Sequence, residues 1–148
     1  MKLKIAIVLL FVMAILGYWI FRHYNKTPAV YSTGQDVKQP WSIETVSIAG
    51  LLADPQRFAG KHVKTEGWVR FGEKPVLYLH AEDEKQKLTL NGIGLVLNGN
   101  KQAQEQIAAS FDRTYCVVEG DFRSRGNLNV DLLSGYITNI SYLARLNR

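Results

Sequence analysis

The chain has 148 residues with a formal net charge of +5, 47% hydrophobic and 21% charged residues, and a single cysteine. That length holds one ordinary domain, one cysteine excludes an internal disulfide framework, and +4 of the +5 charge falls in residues 1–40. Residues 41–148 carry thirteen Lys or Arg against twelve acids, so the body of the protein lacks the broad positive field that drives phosphate-backbone binding.

The first element is IAIVLLFVMAILGYWIF, Ile5 to Phe21, an uncharged run of seventeen residues between Lys4 and Arg22. As a helix it would reach roughly 25 Å, the short end of a membrane span. Tyr18, Trp19 and Phe21 supply an interfacial aromatic belt, and Arg22, His23 and Lys26 follow it as the basic flank of such a span. A cleaved secretory signal would need a shorter apolar region and small residues before the cut; here the run continues through Gly17-Tyr18-Trp19-Ile20 with no A-x-A pattern. The expectation is a single-pass inner-membrane anchor over 1–24. The positive charges on its two sides nearly balance, and a four-residue head is easily left inside, so the domain is expected on the periplasmic side.

Residues 25–42 include NKTPAVYSTGQDVKQ, polar, with Pro28 and Gly34 and no apolar period, the composition of a flexible linker. A domain is expected over 43–148. In Thr45 to Ala53, TVSIAGLLA, Val46, Ala49, Leu51 and Leu52 fall near helical spacing, and Asp54-Pro55 ends the segment. HVKTEGWVRF then alternates: Val63, Thr65, Gly67, Val69 and Phe71 on one face, Lys64, Glu66, Trp68 and Arg70 on the other. Gly67 in mid-strand predicts a bulge or sharp bend. Val76 to His80 reads as a second strand, Glu82-Asp83-Glu84 as an acidic loop, and Gly92 to Leu97 as a third strand.

Lys101 to Phe111, KQAQEQIAASF, carries Ala103, Ile107 and Phe111 at four-residue spacing and predicts an amphipathic helix. Thr114 to Phe122 is a fourth strand, Ser124-Arg125-Gly126-Asn127 a hairpin turn, and Leu128 to Leu133 a fifth strand; Ser134-Gly135 kinks the chain into Tyr136 to Leu143, a further strand or strand extension. The fold expected is mainly β with one or two short helices: an OB-like five-stranded barrel preceded by an N-terminal transmembrane helix. Three strands, a helix and two strands is the element order of that barrel, although fold alone assigns no function.

LLADPQRFAGKHVKTEGWV, LYLHAEDE, YCVVEGDF and SGYITNI carry the pattern L-x-x-P-x-x-[FY]-x-G-K-x-V-x-x-x-G, then L-Y-L, V-x-V-E-G-x-F and S-G-x-I-x-N-I. Over most of residues 46–142 the chain so resembles a group of small, largely uncharacterised bacterial membrane-anchored or exported proteins with an OB-like barrel domain. The resemblance implies an extracytoplasmic or membrane-attached barrel and brings no activity with it. Cys116 departs from that pattern, standing where an aliphatic residue is expected.

No catalytic set is legible: there is neither a G-x-S-x-G elbow nor a Cys beside a His-containing motif. His80 with Glu82, Asp83 and Glu84 lacks the spacing of a calcium loop, so no metal is expected. Gly92-x-Gly94 lacks the third glycine of a phosphate loop, and no cofactor is expected. Cys116 in TYCVV reads as a buried thiol behaving as a small apolar residue. The candidate binding residues are Trp68, Arg70, Tyr78 and His80 on one outer patch, with Arg123 and Arg125 as two cations at a hairpin tip. An aromatic-plus-arginine platform suits a protein surface and also base stacking, while large aromatics in this position also simply cover a barrel.

Three functions fit these observations. The favoured one is a non-catalytic binding or adaptor domain contacting an envelope protein or polymer. A single-stranded nucleic-acid-binding domain at the cytoplasmic membrane face, with Trp68, Phe71 and Tyr78 stacking, is the second, and the near-neutral domain counts against it. The third is an immunity or inhibitor protein against an envelope-acting toxin or hydrolase.

Overall fold

The alternation read in HVKTEGWVR is realised as a nine-residue strand, His62–Arg70, whose odd-numbered residues are buried and whose even-numbered ones face outward. In the computed structural model, residues 15, 30–32, 42–125 and 133–146 are described. In chain order the elements are β1 (Val30–Ser32), β2 (Glu44–Thr45), α1 (Ile48–Ala53), α2 (Pro55–Phe58), β3 (His62–Arg70), β4 (Val76–Tyr78), α3 (Ala81–Lys85), a 3-10 turn (Thr89–Asn91), β5 (Gly92–Leu95), α4 (Lys101–Phe111), β6 (Thr114–Ser124) and β7 (Gly135–Arg145).

Five of the strands close on themselves. β3 pairs antiparallel with β4, and β4 with β5. β5 pairs parallel with β7 through Gly94–Tyr136 and Leu95–Ile137, and β7 returns antiparallel through β6 to β3. A closed ring leaves its strands fewer unpaired edges. Inward-pointing Val63, Val69, Leu77, Ile93, Leu95, Val118, Phe122, Ile137 and Leu143 fill it, while Ile48 and Leu51 of α1, Phe58 of α2, and Ile107 and Phe111 of α4 complete the core.

Local chemistry fixes the helices. Ser47 caps α1 by accepting from Gly50 N at 3.1 Å, Asp54 caps α2 by accepting from Arg57 N ahead of Pro55 at its first turn, and Asn100 caps α4 by accepting from Ala103 N at 2.9 Å. Each satisfies an amide that has no partner within its helix. α4 spans the residues its spacing predicts and buries Ile107 and Phe111.

Several expectations need correction. The closing strand is Gly135–Arg145; of the expected fifth strand at 128–133, Leu133 lies outside any strand and the rest lies outside the described residues. Within the segment read as a flexible linker, β1 is paired with β7 through Val30–Ala144, Tyr31–Leu143 and Ser32–Tyr142. Thr45, read as the start of a helix, belongs to β2, which runs parallel to β3, and the helix that follows buries Ile48 and Leu51. The acidic stretch Glu82-Asp83-Glu84 is helical, in α3. Gly67 pairs in regular register with Cys116; it is small because a Cβ there would lie 3.1 Å from Leu77 and closer still to the Tyr78 carbonyl. The bulge falls instead between Glu119 and Asp121, opposite β7, where Asn139 adopts a φ of 49°.

Among the described residues no helix is long and apolar enough to cross a membrane. The expected anchor, 5–21, lies outside the described residues except for Ile15, which is helical.

Candidate functional site

The six residues singled out from the sequence separate into two groups. Trp68 stands across from Tyr78 in the β3–β4 ladder, and Arg70 across from Val76. The Trp68 indole packs edge-on against Tyr115 with ring centroids 5.2 Å apart and donates from Nε1 to Glu84 Oε2 at 2.8 Å. The other Glu84 oxygen receives Arg70 Nε at 2.9 Å and Arg113 Nε at 3.5 Å. Arg70 also reaches Asp112 at 2.9 Å, and the same carboxylate accepts from Phe71 N at 2.7 Å. Tyr78 is only 7% exposed; burial first, and the Glu84 charge second, push its phenol above the ordinary value despite the opposing charge of Arg70.

Behind this network is a second, outer hydrophobic cluster. Val76, Tyr78 and Leu133 are buried together, with Trp68 and Tyr136 packed against them. The pattern Gly92-Ile93-Gly94-Leu95 follows from it: Ile93 and Leu95 point into the barrel, and the two glycines leave room on the outer side for Val76, Leu133 and Tyr136. Both faces of β4 and β5 are therefore covered. Small OB-type barrels commonly receive ligands on the face of their second and third strands, and here that face is filled by the protein's own side chains. His80 is exposed beside this cluster and its backbone N–H donates to Asp83 Oδ2 at 2.8 Å.

Arg123 and Arg125 lie elsewhere. Arg123 is eight residues along β6 from Tyr115, about 26 Å at strand rise. It is exposed, with Nε 3.4 Å from Thr138 Oγ1, and it borders a cleft of about 640 Å³ whose lining includes Glu44, Lys61, His62, Asp121 and Phe122. Arg125 is half-buried, with its backbone N–H on the Ser134 carbonyl.

The cleft contains the polar centre that the sequence reading missed. His62 and Asp121 are direct cross-strand neighbours, with Nδ1 2.7 Å from Asp121 Oδ1. Nε2 lies 3.4 Å from Ser141 Oγ and 3.6 Å from Glu119 Oε1. The imidazole is 9% exposed, so three strands, β3, β6 and β7, meet at one ring. The second oxygen of Asp121 accepts from Asn139 Nδ2 at 2.9 Å. Burial alone would raise the Asp121 carboxyl, but the hydrogen bonds from Asn139 and His62 and the charges of His62 and Arg123 together hold it below the ordinary value. At the lip, Lys61 pairs with Glu44 at 2.8 Å.

Asp121, His62 and Ser141 stand in the order of a nucleophilic triad, but Glu119 also faces Nε2. These side chains tie β3, β6 and β7 together around the His62 ring. Among the described residues, no three His, Cys, Asp or Glu side chains are placed to hold a metal ion. Alternation in β3 does put His62 on the outer face with Lys64, but its partner is 59 residues away, beyond the reach of local pattern.

Ring order and the helix between the third and fourth barrel strands define the class: a small OB-type β-barrel. No family model matches the chain, and no curated protein matches it. Among solved structures, "OBody AM3L09 bound to hen egg-white lysozyme" is similar at 17% identity and a TM-score of 0.48, covering 72% of this chain and 98% of that one.

Proposed function

We propose that the protein is a non-catalytic binding or adaptor module of the bacterial cell envelope, held at the inner membrane by the apolar run Ile5 to Phe21 with its barrel on the periplasmic side. It would then join the small membrane-anchored barrel proteins it resembles. The observation that carries the binding assignment is the cleft at His62. It is open while the outer face of β4 and β5 is filled, and its charges come in opposed sets, Lys61 and Arg123 against Glu44 and Asp121. Such a lining suits a mixed-charge protein or polymer surface better than a phosphate chain, which needs an excess of cations. Base stacking is further disfavoured because Tyr78 is buried and the Trp68 indole is engaged by Glu84 and Tyr115.

The test is photo-crosslinking in cells, with the reactive side chain placed at Arg123 or Ser42 on the cleft and at Glu105 on α4 as an exposed reference. An alkaline phosphatase fusion, active only after export, reports the side of the membrane. The expected result is an exported barrel whose cleft positions, and not Glu105, form a discrete adduct with one envelope component. Adducts at all three positions alike, adducts with nucleic acid, or an inactive phosphatase would refute the proposal.

A further inference from the structure

Two large apolar side chains are displayed on one braced turn. Leu88 is 43% and Leu90 62% exposed, on either side of Thr89 where the 3-10 turn begins. Among the described residues of the domain, the other strongly exposed apolar side chains, Ile43 and Val96, occur singly, as is ordinary. The turn is held from several directions. Asp83, only 6% exposed, accepts from His80 N and Asn91 Nδ2, each at 2.8 Å, and its backbone carbonyl accepts from Leu88 N at 2.9 Å. Ser134 Oγ donates to the Leu90 carbonyl at 3.1 Å. A buried carboxylate is thus committed to holding a turn whose leucines face water.

Lys85 and Lys87 precede the two leucines. Lys85 is 73% exposed and its only described ion pair, to Glu82, is 3.9 Å long; Lys87 takes a φ of 55° that turns the backbone between them and Leu88. Cations beside projecting apolar side chains match an anionic lipid surface, with ammonium groups at the headgroups and leucines at the acyl boundary.

The chain also limits how far the barrel can stand from a bilayer. Because β1 is docked on β7, only residues 22–29 separate the apolar run from the barrel, and they can span no more than roughly 30 Å. That is about one domain diameter, far less than a free linker over 25–42 would permit.

We infer that the Lys85–Leu90 turn rests on the membrane surface, a second and shallow contact with anionic lipid beside the apolar run. The inference depends on the anchor proposed above. The full chain is placed in vesicles of phosphatidylglycerol and phosphatidylethanolamine, with a nitrobenzoxadiazole label on Leu90→Cys, Ile15→Cys or Glu105→Cys in a Cys116→Ala background, and quenched by nitroxide lipids. The expected result is deep quenching at Ile15 and shallow quenching at Leu90 that exceeds Glu105 several-fold. Charge reversal with Lys85→Glu and Lys87→Glu, or vesicles of phosphatidylcholine, should lower the Leu90 signal and leave Ile15 unchanged. Quenching at Ile15 with Leu90 no different from Glu105 overturns the surface contact alone. Shielding of Leu90 that needs an added envelope protein also overturns it, in favour of a protein occupant. An unquenched Ile15 removes the anchor and this inference together.

Discussion

Tyr136 packs its ring on Gly94: a Cβ built at that glycine would lie 2.6 Å from Tyr136 Cε1 and 3.3 Å from Leu133 Cδ1. The two residues are also register partners in the parallel pair that shuts the barrel, so one contact serves both the strand junction and the outer cluster.

Gly94→Ala is therefore expected to destabilise the protein by about 2 kcal/mol, the usual scale of overpacking. Urea unfolding would measure it. In a Tyr136→Ala background the same substitution should cost almost nothing, because the ring it collides with is gone; equal costs in both backgrounds would show that the two residues do not share this space.

Trp68→Ala should cost about 3 kcal/mol, as removal of a large packed aromatic does, through loss of its contacts with Tyr115 and the Tyr78 cluster. Trp68→Phe keeps a ring and loses the indole donor to Glu84, a loss of about 1 kcal/mol. Thermal unfolding of both variants separates packing from hydrogen bonding; a Trp68→Ala variant as stable as the parent would mark Trp68 as a free surface residue.

The lowered Asp121 carboxyl makes part of the stability pH-dependent. A carboxyl held below its unfolded value contributes stability that is complete above that value, 3.8 for an ordinary aspartate, and is lost as the pH falls through the folded one. The stability gap between the parent and Asp121→Asn should accordingly be largest near neutrality and close below about pH 4. Urea midpoints of the two proteins from neutral to strongly acid solution give the comparison, and a gap that widens in acid would contradict the assigned sign.

Cys116 is fully buried, and burial raises its thiol although Thr114 Oγ1, 3.2 Å from Sγ, and the Arg145 charge act the other way. A buried, protonated thiol is a poor nucleophile. Ellman's reagent should leave the native protein untouched and titrate one thiol in urea; rapid reaction of the native form would place Cys116 at an accessible opening.

Local pattern revealed what local chemistry determines. β3, α4 and most of β6 were legible because alternation or four-residue spacing was uninterrupted. The second strand read as alternating because Val76 and Tyr78 face away from Leu77, and nothing nearby shows that Leu133 and Tyr136 cover them. β1 and β2 are too short for any periodicity to mark them. The candidate residues divide for a similar reason: Trp68, Arg70 and Tyr78 lie on neighbouring strands, with Tyr78 buried, whereas Arg123 lies with His62 and Asp121 across the β3–β6 ladder.

The parallel junction of β5 with β7 also bears on how the chain is made. β7 is the last of the described strands and pairs with β1, β5 and β6, so until it is synthesised the nascent chain carries the bare edges of all three. Pairings of such long sequence separation form slowly, and exposed strand edges invite aggregation meanwhile. A chain whose β7 has not yet docked therefore presents an open, adhesive sheet, and folding of this domain should draw on chaperones until that strand pairs.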